Sequence, residues 1–153
     1  MYNIHYSIPV KDHFPIIANM VLTHFRKERE LDSNQSGWSH ITSIVFNNLN
    51  DDQSYYQYFT ILKNSDVIGF INTHYPISEK KYDAEILVIY LRPEFYSKKI
   101  LEDSFNWTCN TLKTLGAEKI LTDPLKKDTV LRNIIETSNS NKIGINTNQS
   151  KVN

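Results

Sequence analysis

The chain has 153 residues, of which 17 are basic and 17 acidic, and it contains a single cysteine, Cys109. This length suits one domain that buries a hydrophobic core without a metal or a disulfide. The zero formal charge gives no overall field that would draw the protein to nucleic acid or to an anionic membrane, so neither partner is predicted. No apolar stretch approaches the roughly 20 residues that span a bilayer. The lone cysteine and the absence of a charged-then-apolar leader predict a cytoplasmic location.

The first predicted elements are one strand and two helices. Residues 4–10 are expected to form a short edge strand, because Pro9 cannot donate a hydrogen bond to a strand ladder. Apolar residues then recur at helical spacing over 14–25 and again over 38–49. The polar stretch 27–36 is expected to separate these two helices.

A hairpin and a buried strand follow. Residues 56–63 and 67–75 are rich in β-branched and aromatic side chains, which favours two hairpin strands. The predicted turn between them consists of Asn64, Ser65 and Asp66. Residues 84–91 are nearly all apolar, as is typical of a strand covered on both faces. This strand is therefore expected to be central in its sheet.

The longest predicted helix spans residues 97–115, and Gly116 is expected to end it. Its apolar stripe has the spacing of an amphipathic helix and consists of Leu101, Phe105, Thr108, Leu112 and Leu115. A strand at 119–122, a short helix at 130–135 and one more strand at 142–145 complete the pattern. A helix between two neighbouring strands makes those strands parallel. The sequence therefore predicts an α/β fold, with a mixed central β-sheet (α+β) and helices on both faces.

Two segments carry a resemblance to a known family. Residues 84–101 read AEILVIYLRPEFYSKKIL, and residues 115–120 read LGAEKI. These pieces and the order of the elements resemble the core of the GNAT N-acetyltransferases. The resemblance implies a single GNAT-like domain over 1–145, followed by a polar tail at 146–153. The family usually ends with two more strands where this chain has room for about one, so either the sheet is truncated or a second copy completes it in a homodimer.

The resemblance implies transfer of an acetyl group from acetyl-CoA to a primary amine of a small molecule or a protein. In the family, the N-terminus of the long helix holds the pyrophosphate of acetyl-CoA, because free N–H groups and the helix dipole stabilise phosphate there. The amides near Ile89 and Leu91 are implied to align the pantetheine arm. The family pattern of Arg or Gln, two residues, Gly, one residue, and Gly or Ala falls on Tyr96, Ser97, Lys98, Lys99, Ile100 and Leu101.

None of the three signature positions of that pattern is kept, so the motif is degenerate. Leu101 is expected to bring a bulky side chain to a place that is normally bare. Lys98 and Lys99 stand in a first helical turn, where the dipole favours acidic residues, so an anionic ligand would relieve that conflict. The alternative is two solvated lysines balanced by Glu102 and Asp103.

Glu85 is the predicted catalytic residue. It lies six residues before Leu91, where histone acetyltransferases of the GNAT family carry a glutamate general base on the central strand. Such a carboxylate would take a proton from an ammonium substrate, and Asp83 would share its face. The alternative is an ordinary residue that faces solvent or pairs with a lysine across the sheet. At the position of the family's tyrosine acid this chain has Ile135.

The other reactive side chains predict no further site. The five histidines are scattered without a ligand spacing, so no metal is predicted. Cys109 lies beside the apolar stripe and is expected to be a buried thiol. Two functions therefore stay open: an acyl-CoA-dependent N-acyltransferase, or a catalytically inactive GNAT-like domain that acts as a binding or regulatory module. The fold alone does not choose between them.

Overall fold

The computed structural model describes residues 3–29, 35–76, 82–122, 134 and 145–147. Short 3₁₀ helices at Lys11–His13 and Pro93–Phe95 accompany the longer elements. In chain order these are β1 (Ile4–Ser7), α1 (Phe14–Arg29), α2 (Gln35–Asn50), β2 (Tyr56–Lys63), β3 (Asp66–His74), β4 (Tyr82–Leu91), α3 (Lys98–Thr114), β5 (Ala117–Thr122) and β6 (Ile145–Thr147).

The strands form one mixed sheet in the order β1-β2-β3-β4-β5-β6. Neighbours from β1 to β4 are antiparallel, whereas β5 runs parallel to β4 and β6 parallel to β5. The helix α3 connects β4 to β5, as parallel neighbours require. The predicted α/β class is confirmed, and so is the central strand, because β4 has a strand partner on each side.

The hairpin between β2 and β3 closes through two residues. Asn64 has a φ of 57° and is the one non-glycine residue of positive φ in the described ranges. Asparagine adopts this left-handed conformation more readily than most residues. Lys63 pairs with Asp66, so Asp66 belongs to β3 rather than to the predicted turn. The side chain of Asn3 also donates to Asn64 Oδ1 at 2.9 Å, which ties the turn to the start of β1.

Helices cover both faces of the sheet, as predicted. The helices α1 and α2 cover one face, where the buried side chains include Ile17, Val21, Val45, Tyr58 and Phe70. The helix α3 covers the other face and buries Leu101, Phe105, Cys109 and Leu112 completely. The burial of Cys109 confirms the expected buried thiol. Within the described ranges, no helix combines the length and the apolar composition that crossing a membrane requires.

The first two helices are longer than their apolar patterns. The helix α1 continues to Arg29, and α2 already begins at Gln35. The prediction that polar residues break the helix from residue 27 was therefore wrong. Lys27, Glu28 and Arg29 are good helix formers, so their polarity did not end the helix.

The two ends of α3 follow local capping chemistry. The hydroxyl of Ser97 accepts a hydrogen bond from the Ile100 amide at 3.3 Å, which makes Ser97 the N-cap. Gly116 has a φ of 118° just past the C-terminus, where glycine meets no steric cost. Leu115 was predicted in the buried stripe but is 49% exposed. Its backbone is still helical, and its amide donates to the Thr111 carbonyl at 2.9 Å, but as the C-cap its side chain lies at the end of the buried stripe rather than within it.

The C-terminal predictions are met in part. Within the predicted helix at 130–135, Ile134 is the residue that the structure describes, and it is helical and buried. The other positions, including Ile135, lie outside the described residues. The strand β6 shares Ile145 with the strand predicted at 142–145, whose other residues are not among those described. The strand β6 ends at Thr147, two residues past the predicted end of the domain at residue 145. The division into a domain and a polar tail stays a prediction.

Candidate active site

The central strand β4 pairs with different strands at its two ends. It pairs with β5 from Tyr82 to Ile86 and with β3 from Glu85 to Leu91. Past Ile86, β4 has no strand neighbour on its β5 side within the described part of the chain. Among the described residues, 87–91 therefore present an open edge of backbone donors and acceptors on that side.

A β-bulge lies where this open edge begins. Asn72 of β3 pairs with Val88 of β4, but the next residue, Thr73, pairs with Ile86. Leu87 is therefore an extra residue in β4. Bulges bend a strand and re-aim its side chains, and they are common beside active sites. Here the bulge coincides with the point where β4 and β5 stop pairing.

The predicted cofactor residues Ile89 and Leu91 lie on this open edge. Their side chains are buried in the core under α3, so a ligand along the edge could meet their backbone groups only. On the other side, Gly69 of β3 pairs with Leu91. A Cβ at Gly69 would overlap the carbonyl oxygen of Tyr90, so this glycine allows β3 to lie close against β4.

The start of α3 lies directly beyond the open edge, after the turn at Pro93–Phe95. Tyr96 donates its amide hydrogen to the Pro93 carbonyl at 3.2 Å, and Leu101 donates to the Ser97 carbonyl at 3.0 Å. Ile100 donates to the Ser97 side chain. These three predicted cofactor residues therefore have amides that are already satisfied.

The amides of Lys98 and Lys99 have no acceptor among the described residues. They belong to the first turn of α3, which contains no acidic residue. Free amides at the positive end of a helix dipole are a site for an anion such as phosphate. Of the six positions in the degenerate motif, these two are therefore the best placed to bind phosphate through the backbone.

The expectation for Leu101 was wrong. Its side chain is fully buried against the sheet and does not lie over the helix N-terminus. Ile100 is also buried, at 7% exposure. The side chains of Ile100 and Leu101 both pack in the core between α3 and the sheet. They therefore do not cover the outer surface of the first turn.

The two lysines of the first turn differ in their surroundings. Lys99 Nζ lies 3.3 Å from Asp103 Oδ1, one turn along the helix, and its side chain is 67% exposed. An exposed pair of this kind contributes at most about 1 kcal/mol. The balancing role predicted for Asp103 therefore holds for Lys99. Lys98 is exposed and forms no ion pair with a described residue.

Glu85 lies at the inner end of the open edge, one residue before the last β4–β5 pair. Directly opposite it are His74 of β3 and Leu121 of β5. Asp83 is two residues away on the same face of the sheet.

His74 is a candidate site residue that the sequence did not reveal. No residue near His74 in the sequence stands at a spacing typical of metal ligands or catalytic residues. His74 lies opposite Glu85 only because of the register between β3 and β4. Tyr56 lies opposite His74 on its other side, and the two rings meet edge to face at 4.8 Å. The row Tyr56, His74 and Glu85 thus runs across three strands on the face that α1 and α2 cover.

A cleft of about 300 Å³ lies between α1, α2 and this face of the sheet, beside that row. Asn72 and Tyr56 line it together with His24. Asn72 Oδ1 is buried and has no hydrogen-bond partner among the described residues. A buried acceptor normally has a donor, so a ligand N–H group would fit here.

Tyr90 lies on the same face, nearer the end of β4 that leads to α3. Its ring stacks on Phe70 at 5.4 Å, and the His24 ring meets it edge to face at 6.0 Å. Burial raises the pKa of Tyr90, and Glu94 raises it further, while Arg92 lowers it. The phenol therefore stays protonated at neutral pH and can act as a donor.

No protein-family model and no curated protein sequence matches this chain. Solved structures do match it. A possible acetyltransferase from Clostridium difficile 630 superimposes with a TM-score of 0.74 over 90% of each chain, at 17% identity. A predicted acetyltransferase with acetyl-CoA from Clostridium acetobutylicum gives 0.65 over 88% of each chain, at 12% identity. A transcriptional regulator from Bacillus halodurans C-125 gives 0.64 over 92% of this chain and 93% of its own, at 8% identity.

The chain has the GNAT fold. The agreement extends over nearly the whole length of these neighbours, which confirms the fold that the sequence resemblance implied. Within this GNAT fold, the predicted site residues fall into two places. The predicted cofactor residues line the open edge of β4 and the start of α3, and Glu85 lies at the inner end of that edge. Among the described residues, no three His, Cys, Asp or Glu side chains are grouped so that they could hold a metal ion.

Proposed function

We propose that this chain is an acetyl-CoA-dependent N-acetyltransferase whose acceptor is a primary amine. The observation that carries the proposal is the continuity between the open edge of β4 and the free amides of α3. An extended ligand with an amide-bearing arm and phosphates at one end would match both surfaces. The neighbour with acetyl-CoA shows that a protein of this fold is found with that molecule.

The residues present fit such a cofactor. The amides of Lys98 and Lys99 would hold the pyrophosphate, and the exposed ammonium group of Lys98 would add a positive charge. The backbone groups of Ile89 and Leu91 would hold the pantetheine arm. When bound, acetyl-CoA supplies an acetyl group activated as a thioester. The protein then needs mainly to align the amine with that group.

Glu85 would act as the general base. An amine is largely protonated at neutral pH, and it must lose a proton before its lone pair can attack a carbonyl carbon. Glu85 lies on the face that borders the cleft under α1 and α2, where Asn72 Oδ1 could accept an N–H of the same amine. His74, which pairs with Glu85 in the strand register, would relay the proton away. Tyr90 is a protonated donor on the same face for the departing thiolate.

A second candidate is a GNAT-like domain without catalytic activity. The observations in its favour are the absence of glycine from the first turn of α3 and the Lys99–Asp103 ion pair, which already satisfies one of the two lysines. A neighbour of the same fold is a transcriptional regulator. The fold therefore supports such a role as well.

Replacement of Glu85 by glutamine tests the enzyme. Thiol release from acetyl-CoA should be measured with a panel of primary amines, including a polyamine, an aminoglycoside and a peptide with a free α-amino group. With an amine that the wild type acetylates, Glu85→Gln should lower kcat/KM by about a hundredfold, while the affinity for acetyl-CoA stays the same.

The matched control is Asp83→Asn, which removes an exposed carboxylate from the same face two residues away. It should leave the rate within about twofold of the wild type. An unchanged rate in Glu85→Gln would remove Glu85 from catalysis. Binding of acetyl-CoA without transfer to any amine would favour the non-catalytic candidate.

A further inference from the structure

A second cleft, the aromatic cleft, lies at the end of the sheet where β4 begins. Its volume is about 670 Å³. Thr111 and Leu115 line it from the C-terminal part of α3. Along that helix, at about 1.5 Å per residue, Thr111 is roughly 21 Å and Leu115 roughly 27 Å from Ser97. The aromatic cleft is therefore remote from the proposed phosphate site, although Asn48 and Tyr58 form a wall that it shares with the cleft under α1 and α2.

Aromatic rings dominate the walls of the aromatic cleft. Trp107 stacks on Tyr6 at 4.8 Å and meets Phe59 edge to face at 5.1 Å. Tyr75 stacks on Tyr82 at 5.4 Å. Such surfaces bind the apolar body of a ligand and attract a cation to the faces of the rings.

Tyr82 is one of the residues that line the aromatic cleft. Tyr82 is 6% exposed, and its hydroxyl oxygen is buried without a hydrogen-bond partner among the described residues. An unpaired buried hydroxyl is unfavourable, and buried polar groups normally have partners. A ligand with an N–H group in the aromatic cleft would supply one, since the hydroxyl oxygen can accept.

The electrostatic surroundings favour a cation. Asp51 and Asp52 line the aromatic cleft, and no basic residue does so in the described part of the chain. Asp51 accepts a hydrogen bond from the Gln53 amide at 2.9 Å, and neither carboxylate forms an ion pair with a described residue. Asn48 near the end of α2 and Leu115 at the end of α3 also line the cleft, so two helix C-termini contribute partial negative charge.

We propose that the aromatic cleft binds a primary ammonium compound with an aromatic or alkyl body. The ammonium group donates to the Tyr82 hydroxyl within reach of the field of Asp51 and Asp52, and the body of the ligand lies against the rings of Trp107 and Tyr6. This site is independent of acetyl transfer. A non-catalytic domain would contain it equally.

The test is an NMR titration of the full ¹⁵N-labelled chain with 2-phenylethylamine, which is protonated at neutral pH. The neutral comparison is 2-phenylethanol, which has nearly the same shape and also forms hydrogen bonds. The amine should shift the Trp107 indole signal, assigned with Trp107→Phe, in a saturable manner. The alcohol should bind at least about fivefold more weakly.

Tyr82→Phe removes the hydroxyl alone and should weaken amine binding by about tenfold. Because that hydroxyl has no described partner, the variant should fold as the wild type does. Asp52→Asn should weaken binding severalfold. Asp66→Asn, which removes an exposed carboxylate at the opposite end of the sheet, should leave the affinity unchanged.

Three results would overturn the proposal. The first is the absence of a saturable shift of the Trp107 signal at millimolar amine. The second is equal affinity for the amine and the alcohol, which would exclude recognition of charge. The third is an affinity that Tyr82→Phe and Asp52→Asn leave unchanged, which would place the ligand elsewhere.

Discussion

Replacement of Leu101 by alanine tests whether the start of α3 is open to a ligand. The Leu101 side chain is fully buried in the core under α3. Truncation of a buried leucine removes its apolar contacts and leaves a cavity, so the free energy of unfolding should fall by about 3 kcal/mol. For a domain of this size, that loss lowers Tm by roughly 6 to 12 °C.

Urea unfolding followed by circular dichroism measures this loss, with Lys98→Ala as the control in the same turn. Lys98 is exposed, so its replacement should change stability by less than about 0.5 kcal/mol. A loss below about 1 kcal/mol for Leu101→Ala would contradict the burial of this side chain in the core. The leucine would then lie outside the core and could cover the amides of the first turn.

Two further predictions concern the sheet. Gly69→Ala should destabilise the protein by about 2 kcal/mol or more, because a Cβ there would overlap the Tyr90 carbonyl oxygen; unchanged urea unfolding would show that the backbone adjusts freely. Burial raises the pKa of Tyr58 from 10.0 to about 12. Because the unfolded chain loses this proton at the lower pH, the stability from a protonated Tyr58 is complete below pH 10 and is lost as the pH rises to about 12, by roughly 2 to 3 kcal/mol. The difference between the wild type and Tyr58→Phe, measured by urea unfolding from pH 9 to 12, should show this loss, and an equal pH dependence of the two proteins would contradict it.

Much of the fold could be predicted because its strongest signals are local. The apolar run at 84–91 marked the central strand, and the spacing of Leu101, Phe105 and Leu112 marked the face of α3 that packs on it. Asn64 adopts a positive φ, which asparagine tolerates, so an asparagine between two strand patterns marked the hairpin turn in the sequence. Polar helix formers such as Glu28 carry no comparable stop signal, so the end of α1 was misplaced.

The site depended on features that the sequence does not encode locally. The position of His74 opposite Glu85 follows from the register of β3 and β4, and the extra residue Leu87 shifts that register by one. The family motif correctly placed Leu101 at the start of α3, but the expected direction of its side chain was wrong. The side chain points into the core because packing against the sheet buries it there. The clefts combine residues from distant elements, and composition gave no sign of the buried Asn72 Oδ1, which has no hydrogen-bond partner among the described residues.

The open edge of β4 and the start of α3 are proposed to form a site for acetyl-CoA. Isothermal titration calorimetry of the wild type with acetyl-CoA measures whether they do. The wild type should bind, and the double variant Lys98→Glu and Lys99→Glu should lose measurable affinity while its far-UV circular dichroism is unchanged. The matched pair Lys11→Glu and Lys119→Glu, which reverses two exposed lysines elsewhere, should bind as the wild type does. The absence of binding at millimolar acetyl-CoA, or equal weakening by both double variants, would contradict the account.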